Sequence, residues 1–143
     1  MATMQIDIEE WVKDLLAAWT SHDVEKILSF YTDDCILENL AISKVLNGKE
    51  PLRAYIEESI TVLPDFRIEA KSCFASGDHV CIQWIMSGTE GNLPGMPFPD
   101  KNYSVQGVAV IEMKEGKAKR KTEYYDSATL MRQLGILPAS PEQ

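Results

Sequence analysis

Between Phe66 and Asp126 the chain runs as long stretches of strand-period alternation separated by turn sequences, and this meander limits the folds open to it. Over 66–74, Phe66, Ile68 and Ala70 alternate with Arg67, Glu69 and Lys71. Ser76-Gly77-Asp78 is a hairpin turn, and 79–89 continues as a second strand. Residues 103–113 and 118–126 predict two more, joined by the tight turn Lys114-Glu115-Gly116-Lys117. The stretch 88–102 holds three Pro, three Gly and two Asn, and reads as a loop inside this sheet because the strand pattern resumes directly after it.

Upstream the period changes. Ile8, Trp11, Val12, Leu15, Leu16 and Trp19 recur at offsets of three and four, so 7–20 predicts a helix with one buried face. Asp23 is placed to cap a second, short helix over 24–31, with Val24, Ile27, Leu28 and Tyr31 inward. Thr32-Asp33-Asp34 reads as a turn and 35–40 as a strand. A third helix over 51–62 starts at Pro51, where a first turn tolerates proline, and turns Leu52, Tyr55, Ile56 and Ile60 to one side. After the last strand, Asp126 is placed to cap a short helix that ends at Gly135. Three helices before a meander predict an α+β fold, a curved, mostly antiparallel sheet wrapped by the N-terminal helices with a short C-terminal helix. Such a sheet closes into a cone with one open mouth, a favoured place for a ligand pocket. The chain of 143 residues fits one domain, 1–138, with 139–143 expected as a flexible tail.

The formal net charge of −8 argues against nucleic acid or an anionic membrane as main partner, since both need a basic surface. Cys35, Cys73 and Cys81 are odd in number and lack metal or disulfide spacing, which suits buried thiols in a reducing compartment. His22 and His79 both read as turn residues, so no metal site is expected. The opening MATMQIDIEEW has neither a basic n-region nor an apolar h-region, and the expected location is the cytoplasm.

Three stretches carry a resemblance. Trp19 to Asp34 (WTSHDVEKILSFYTDD) looks like a helix-turn-helix ending in an acidic turn. Ser87–Gly91 (SGTEG) followed by Pro94–Pro97 (PGMP) is similar to a GTHxG…GxP loop, with Glu90 in place of its His. Gly116-Lys117 through Tyr124-Tyr125-Asp126, then Leu130–Gly135 (LMRQLG), is like a GKI…D…LxxQLG ending. Over residues 7–138 the chain thus resembles the nuclear transport factor 2-like superfamily (cystatin-like fold), in its SnoaL-like polyketide cyclase branch.

The superfamily hosts cyclases, isomerases, dehydratases, epoxide hydrolases and members without known reaction, so function has to be read from the site. Isomerases of this kind place a catalytic Asp at the end of the first strand and a phenol on the first helix. Those positions fall on Asn39 and Leu15 here, and an amide cannot act as an enolising base. The resemblance puts the cyclases' acid/base Asp at Lys121 and the His that assists it at Gly107. The Asp of the epoxide hydrolases falls on Glu123, while their Arg-x-Asp pair has no counterpart over 79–90. Pairing of such chains through the outer sheet face implies a homodimer.

On the last strand Lys119, Lys121, Glu123 and Tyr125 share one face by alternation. Charges this dense suit a solvated edge with cross-strand pairs. Alternatively, Lys121 and Glu123 enter the pocket as a coupled catalytic pair, the carboxylate as base and the lysine with a pKa lowered by desolvation. Glu38 alternates away from Asn39, so only one of them faces inward. Trp19, Tyr31, Tyr55, Trp84 and Tyr103, with Met86 and Met96, fall on inward positions as core or as pocket wall, a lining that suits a flat, apolar or aromatic small molecule. Asn39 and tyrosine hydroxyls would orient it. The expected activity is cofactor-free acid/base chemistry of cyclase, isomerase or hydrolase type, since no phosphate-binding loop is present. The rival reading is a non-catalytic binder with the same pocket, and whether the chain is an enzyme stays open at this point.

Overall fold

Side-chain caps set the helix starts. In the computed structural model, which describes residues 7–93, 96–98 and 102–138, the Asp7 carboxylate accepts from the Glu10 N–H and opens α1 (Ile8–Ser21). His22 ends it with a left-handed backbone (φ 61°), and its N–H donates to the Trp19 carbonyl. Asp23 caps α2 (Val24–Leu28) in the same way as Asp7. The chain continues through β1 (Tyr31–Asn39), β2 (Lys44–Asn47), α3 (Lys49–Val62), β3 (Arg67–Ser76), β4 (His79–Gly88), β5 (Gly91–Leu93), β6 (Met96–Phe98), β7 (Tyr103–Lys114) and β8 (Lys117–Tyr125) to α4 (Ser127–Gln133). Asp126 caps α4 by accepting from the Thr129 N–H and hydroxyl.

The main sheet has the order β2-β1-β8-β7-β4-β3 and is antiparallel except for the parallel pair β1–β8. A register shift between Ala70 and Ser72 falls in β3, where bulges add twist and bend. The inner face carries Val80, Ile82, Ala109 and Ile111, against which Leu15, Leu16, Ile27, Leu52 and Ile56 of α1, α2 and α3 pack, all buried. This is the expected α+β cone, and its open end is left to the site. No helix among the described residues is long and apolar enough to cross a membrane. The tail 139–143 lies outside the described residues.

Three local expectations are corrected. Tyr31 to Asp34 is strand, not a helix end and a turn, because Tyr31 pairs with Ala118 far along the chain. A four-residue strand β2 lies before α3, and the small hairpin β5–β6 forms within 88–102. Lys119 does not share a face with Lys121: a bulge opposite Glu112 and Met113 inserts one residue, so Ala118 and Lys121 are buried while Lys119 and Arg120 are exposed. Lys119 and Arg120 pair instead with Glu112 and Glu38.

Candidate functional site

A cavity of about 220 Å³ opens among α1, α3, α4 and the inner faces of β1, β4 and β8. Leu37, Val62, Leu63, Phe66, Ile68, Met86 and Leu130 make most of its wall, with the indoles of Trp19 and Trp84. The polar side chains of Asn39, Tyr55, Lys121, Glu123 and Tyr125 also face this space. Ile42, Lys44, Glu58 and Ser59 complete the lining, with Ile42 and Glu58 exposed.

Lys121 is only 4% exposed. Its Nζ lies 3.6 Å from Glu123 Oε1, donates to the Tyr31 hydroxyl at 3.3 Å, and sits 5.0 Å from the Trp19 ring centroid. Trp19 Nε1 donates to the same Tyr31 oxygen at 3.2 Å. Burial by itself would depress the ammonium, but the Glu123 carboxylate and the Tyr31 phenol oxygen outweigh it and hold Lys121 above the ordinary lysine value. The lowered pKa expected from desolvation is therefore corrected: a carboxylate two residues along the same strand face keeps this lysine charged.

Asn39, 1% exposed, stands across the β1–β8 pairing from Glu123. Its Oδ1 accepts from the Ala41 N–H at 3.2 Å, which fixes the amide orientation, and its Nδ2 donates to Tyr55 at 2.9 Å and Tyr125 at 3.3 Å. Glu38 points the other way, to Arg120 and Thr122. Burial pushes both phenols up, and the charge of Glu123 pushes the same way.

Trp84 packs edge-on to Tyr125, ring centroids 5.6 Å apart, and faces Gly107 across the β4–β7 pairing. A Cβ at 107 would overlap the indole, so Trp84 fills the space that a side chain there would take.

Of the residues singled out in the sequence, Trp19, Asn39, Tyr55, Trp84, Met86, Lys121 and Glu123 line this one cavity. Tyr31 stands behind the lining and reaches it through Lys121. Tyr103 is buried elsewhere, beside Gly88 and Asp65, where the Asp65 carboxylate ties down the Thr89 and Glu90 N–H groups. Met96 belongs to β6, and its side chain lies outside the described ones. Tyr125 joins the site beyond the residues expected from the sequence, and its alternation with Lys121 and Glu123 is the signal that finds it. Among the described residues no three or more His, Cys, Asp or Glu stand together as a metal site would need.

The family model for the SnoaL-like polyketide cyclases matches residues 9–134. The chain belongs to the SnoaL-like polyketide cyclase family. No curated protein matches it. This SnoaL-like chain shares its fold with TsrD from Streptomyces laurentii (TM-score 0.77, 22% identity, covering 93% of this chain and 100% of that one). It is likewise similar to a hypothetical protein with a ketosteroid isomerase-like fold from Catenulispora acidiphila, solved with trimethylamine (TM-score 0.77, 18% identity, 92% and 98% covered). A third similar structure is TerC co-crystallised with polyporic acid (TM-score 0.72, 19% identity, 89% and 97% covered).

Proposed function

We propose that this SnoaL-like protein carries out cofactor-free acid/base chemistry on a flat, apolar small molecule bound in the cavity. Glu123 is the base and the Lys121 ammonium offsets negative charge that develops beside it. One observation carries this reading: an ion pair, with its ammonium buried, faces a hollow whose wall is mostly apolar. Taking two charges out of water costs several kcal/mol in general, and a fold concerned with packing alone would do as well with apolar residues there. Charges set in a cleft and coupled to each other are the arrangement proton-transfer sites need. A positioned base contributes about 10²–10⁴ in rate, a scale that a conservative substitution tests directly. The trimethylamine and polyporic acid held by two proteins of the same fold support a small organic ligand.

A second reading, a non-catalytic binder, is favoured by Gly107: the indole of Trp84 occupies the space that a side chain there would need. Glu123→Gln separates the two. With a panel of polyketide-like aromatic ketones and epoxides, the catalytic reading expects turnover to fall at least about 100-fold while quenching of Trp19 and Trp84 fluorescence reports unchanged binding. Equal rates in both proteins, with equal binding, leave the binder.

A further inference from the structure

Cations withdrawn from solvent in this protein come with a carboxylate. Lys49 pairs with Asp33, Arg53 with Glu25 and Glu50, and Lys121 with Glu123. Lys44 breaks the pattern. It is half-buried and lines the cavity, yet among the described residues it is the one buried or half-buried lysine or arginine that pairs with no carboxylate. Its Nζ lies 5.9 Å from the centroid of the Tyr55 ring, a contact that steadies the ammonium without neutralising it. Glu58 is also part of the lining, but it is exposed on α3 and makes no ion pair with Lys44.

The sheet register says where this charge stands. Lys44 is the partner of Asn39 in the β1–β2 pairing, and Asn39 is the partner of Glu123 in the β1–β8 pairing. Register partners share a face, so the three side chains form a row across three strands, with Lys44 on the edge strand β2. At the ordinary strand spacing the Lys44 and Glu123 backbones are about 10 Å apart. Lys121 and Glu123 compensate each other at the inner end of the row, while the Lys44 ammonium at the edge has no compensating carboxylate.

We infer that the molecule bound in the cavity is amphipathic, a flat, apolar body with a carboxylate at its β2 end, where Lys44 takes it in an ion pair. This rests on the proposed reading of the cavity and names the ligand class for it. The carboxylate at Lys44 turns the other end of the body toward Glu123, whose own charge keeps an anionic group away from the inner end. Lys44 is a specificity residue in this scheme and touches no reacting atom. The net charge of −8 repels anions at long range, so the preference comes from contact with this one ammonium.

The test compares 2-naphthoate with 2-naphthamide, a neutral molecule of the same shape, by isothermal titration calorimetry of the whole chain near neutral pH. The parent protein is expected to bind the carboxylate about fivefold more tightly than the amide. Lys44→Met keeps the apolar stem and removes the charge, so the carboxylate falls to the level of the amide or below it while the amide binds as before. Lys44→Arg keeps the preference. Lys26→Met, which removes an exposed lysine of α2 outside the lining, keeps it too and separates contact from a change in net charge. Equal binding of the two probes by the parent protein, or a preference that survives Lys44→Met, overturns the inference and leaves the apolar cavity standing as a small-molecule site. Binding of neither probe overturns the inference together with the reading it rests on.

Discussion

The Lys121 ammonium lies 3.6 Å from the Glu123 carboxylate, two residues along one strand, with the two side chains only 5% and 16% exposed. Removing one partner leaves the other without compensation in a poorly hydrated site. Glu123→Leu is therefore expected to cost about 3 kcal/mol in urea unfolding. The double variant Lys121→Met with Glu123→Leu is expected within about 1 kcal/mol of the parent protein, and inactive. A single variant as stable as the parent would show that the pair is not electrostatically coupled.

Gly107 holds a position where only hydrogen fits, since any Cβ meets the Trp84 ring. Gly107→Ala should lower stability by about 1–3 kcal/mol and shift the tryptophan emission as the indole leaves its slot. Gly107→His should do the same and gain no activity, because the space for the imidazole is already filled. Thermal unfolding together with the emission spectrum checks both.

Alkaline pH should unfold this protein early. Lys121 is held above its ordinary 10.5, so its contribution is complete below that pH and is lost as pH rises through the folded value. Tyr31, Tyr55 and Tyr125 are raised above their ordinary 10.0, chiefly by burial. The unfolded chain then releases phenol protons first, and stability falls from that pH in the same direction. Urea midpoints are expected flat from about pH 7 to 9 and falling from about pH 10, less steeply in the Lys121→Met, Glu123→Leu double variant.

We also propose a homodimer formed through the convex sheet face. Cys81, Ile85, Val108 and Val110 are half-buried there, with Phe74 and Tyr124 exposed at 64% and 47%, an apolar surface bordered by the Lys119–Glu112 and Arg120–Glu38 pairs. Sedimentation equilibrium should give twice the chain mass for the parent protein and the single mass for Val110→Arg. A monomeric parent protein would contradict the pairing.

Much of this architecture is legible in the sequence because burial leaves a period. The α1 and α3 faces, the four long strands and the Asp126 cap all follow from spacing. What the spacing misses is set by partners distant in the chain. The strand from Tyr31 forms against Ala118, and the bulge that separates Lys119 from Lys121 is visible only in the pairing with β7. In the site, alternation brings Lys121 and Glu123 to one wall, yet the Tyr31 hydroxyl that joins Glu123 in holding the lysine charged comes from β1, far back in the chain. Tyr103 shows the opposite limit. An inward pattern predicts burial, and the residue is buried, but the pattern does not say which part of the interior receives it.

The proposed function makes Glu123 the base toward a flat, apolar molecule in the cavity, and a ketone with exchangeable C–H bonds is the simplest probe of it. Proton magnetic resonance of β-tetralone in deuterium oxide, with and without protein, tests it most directly. The parent protein is expected to exchange the hydrogens beside the carbonyl well above the buffer rate, and Glu123→Gln, still binding the ketone, to exchange them at the buffer rate. Exchange by the parent protein no faster than buffer, or equally fast exchange by the Gln variant, would contradict the account.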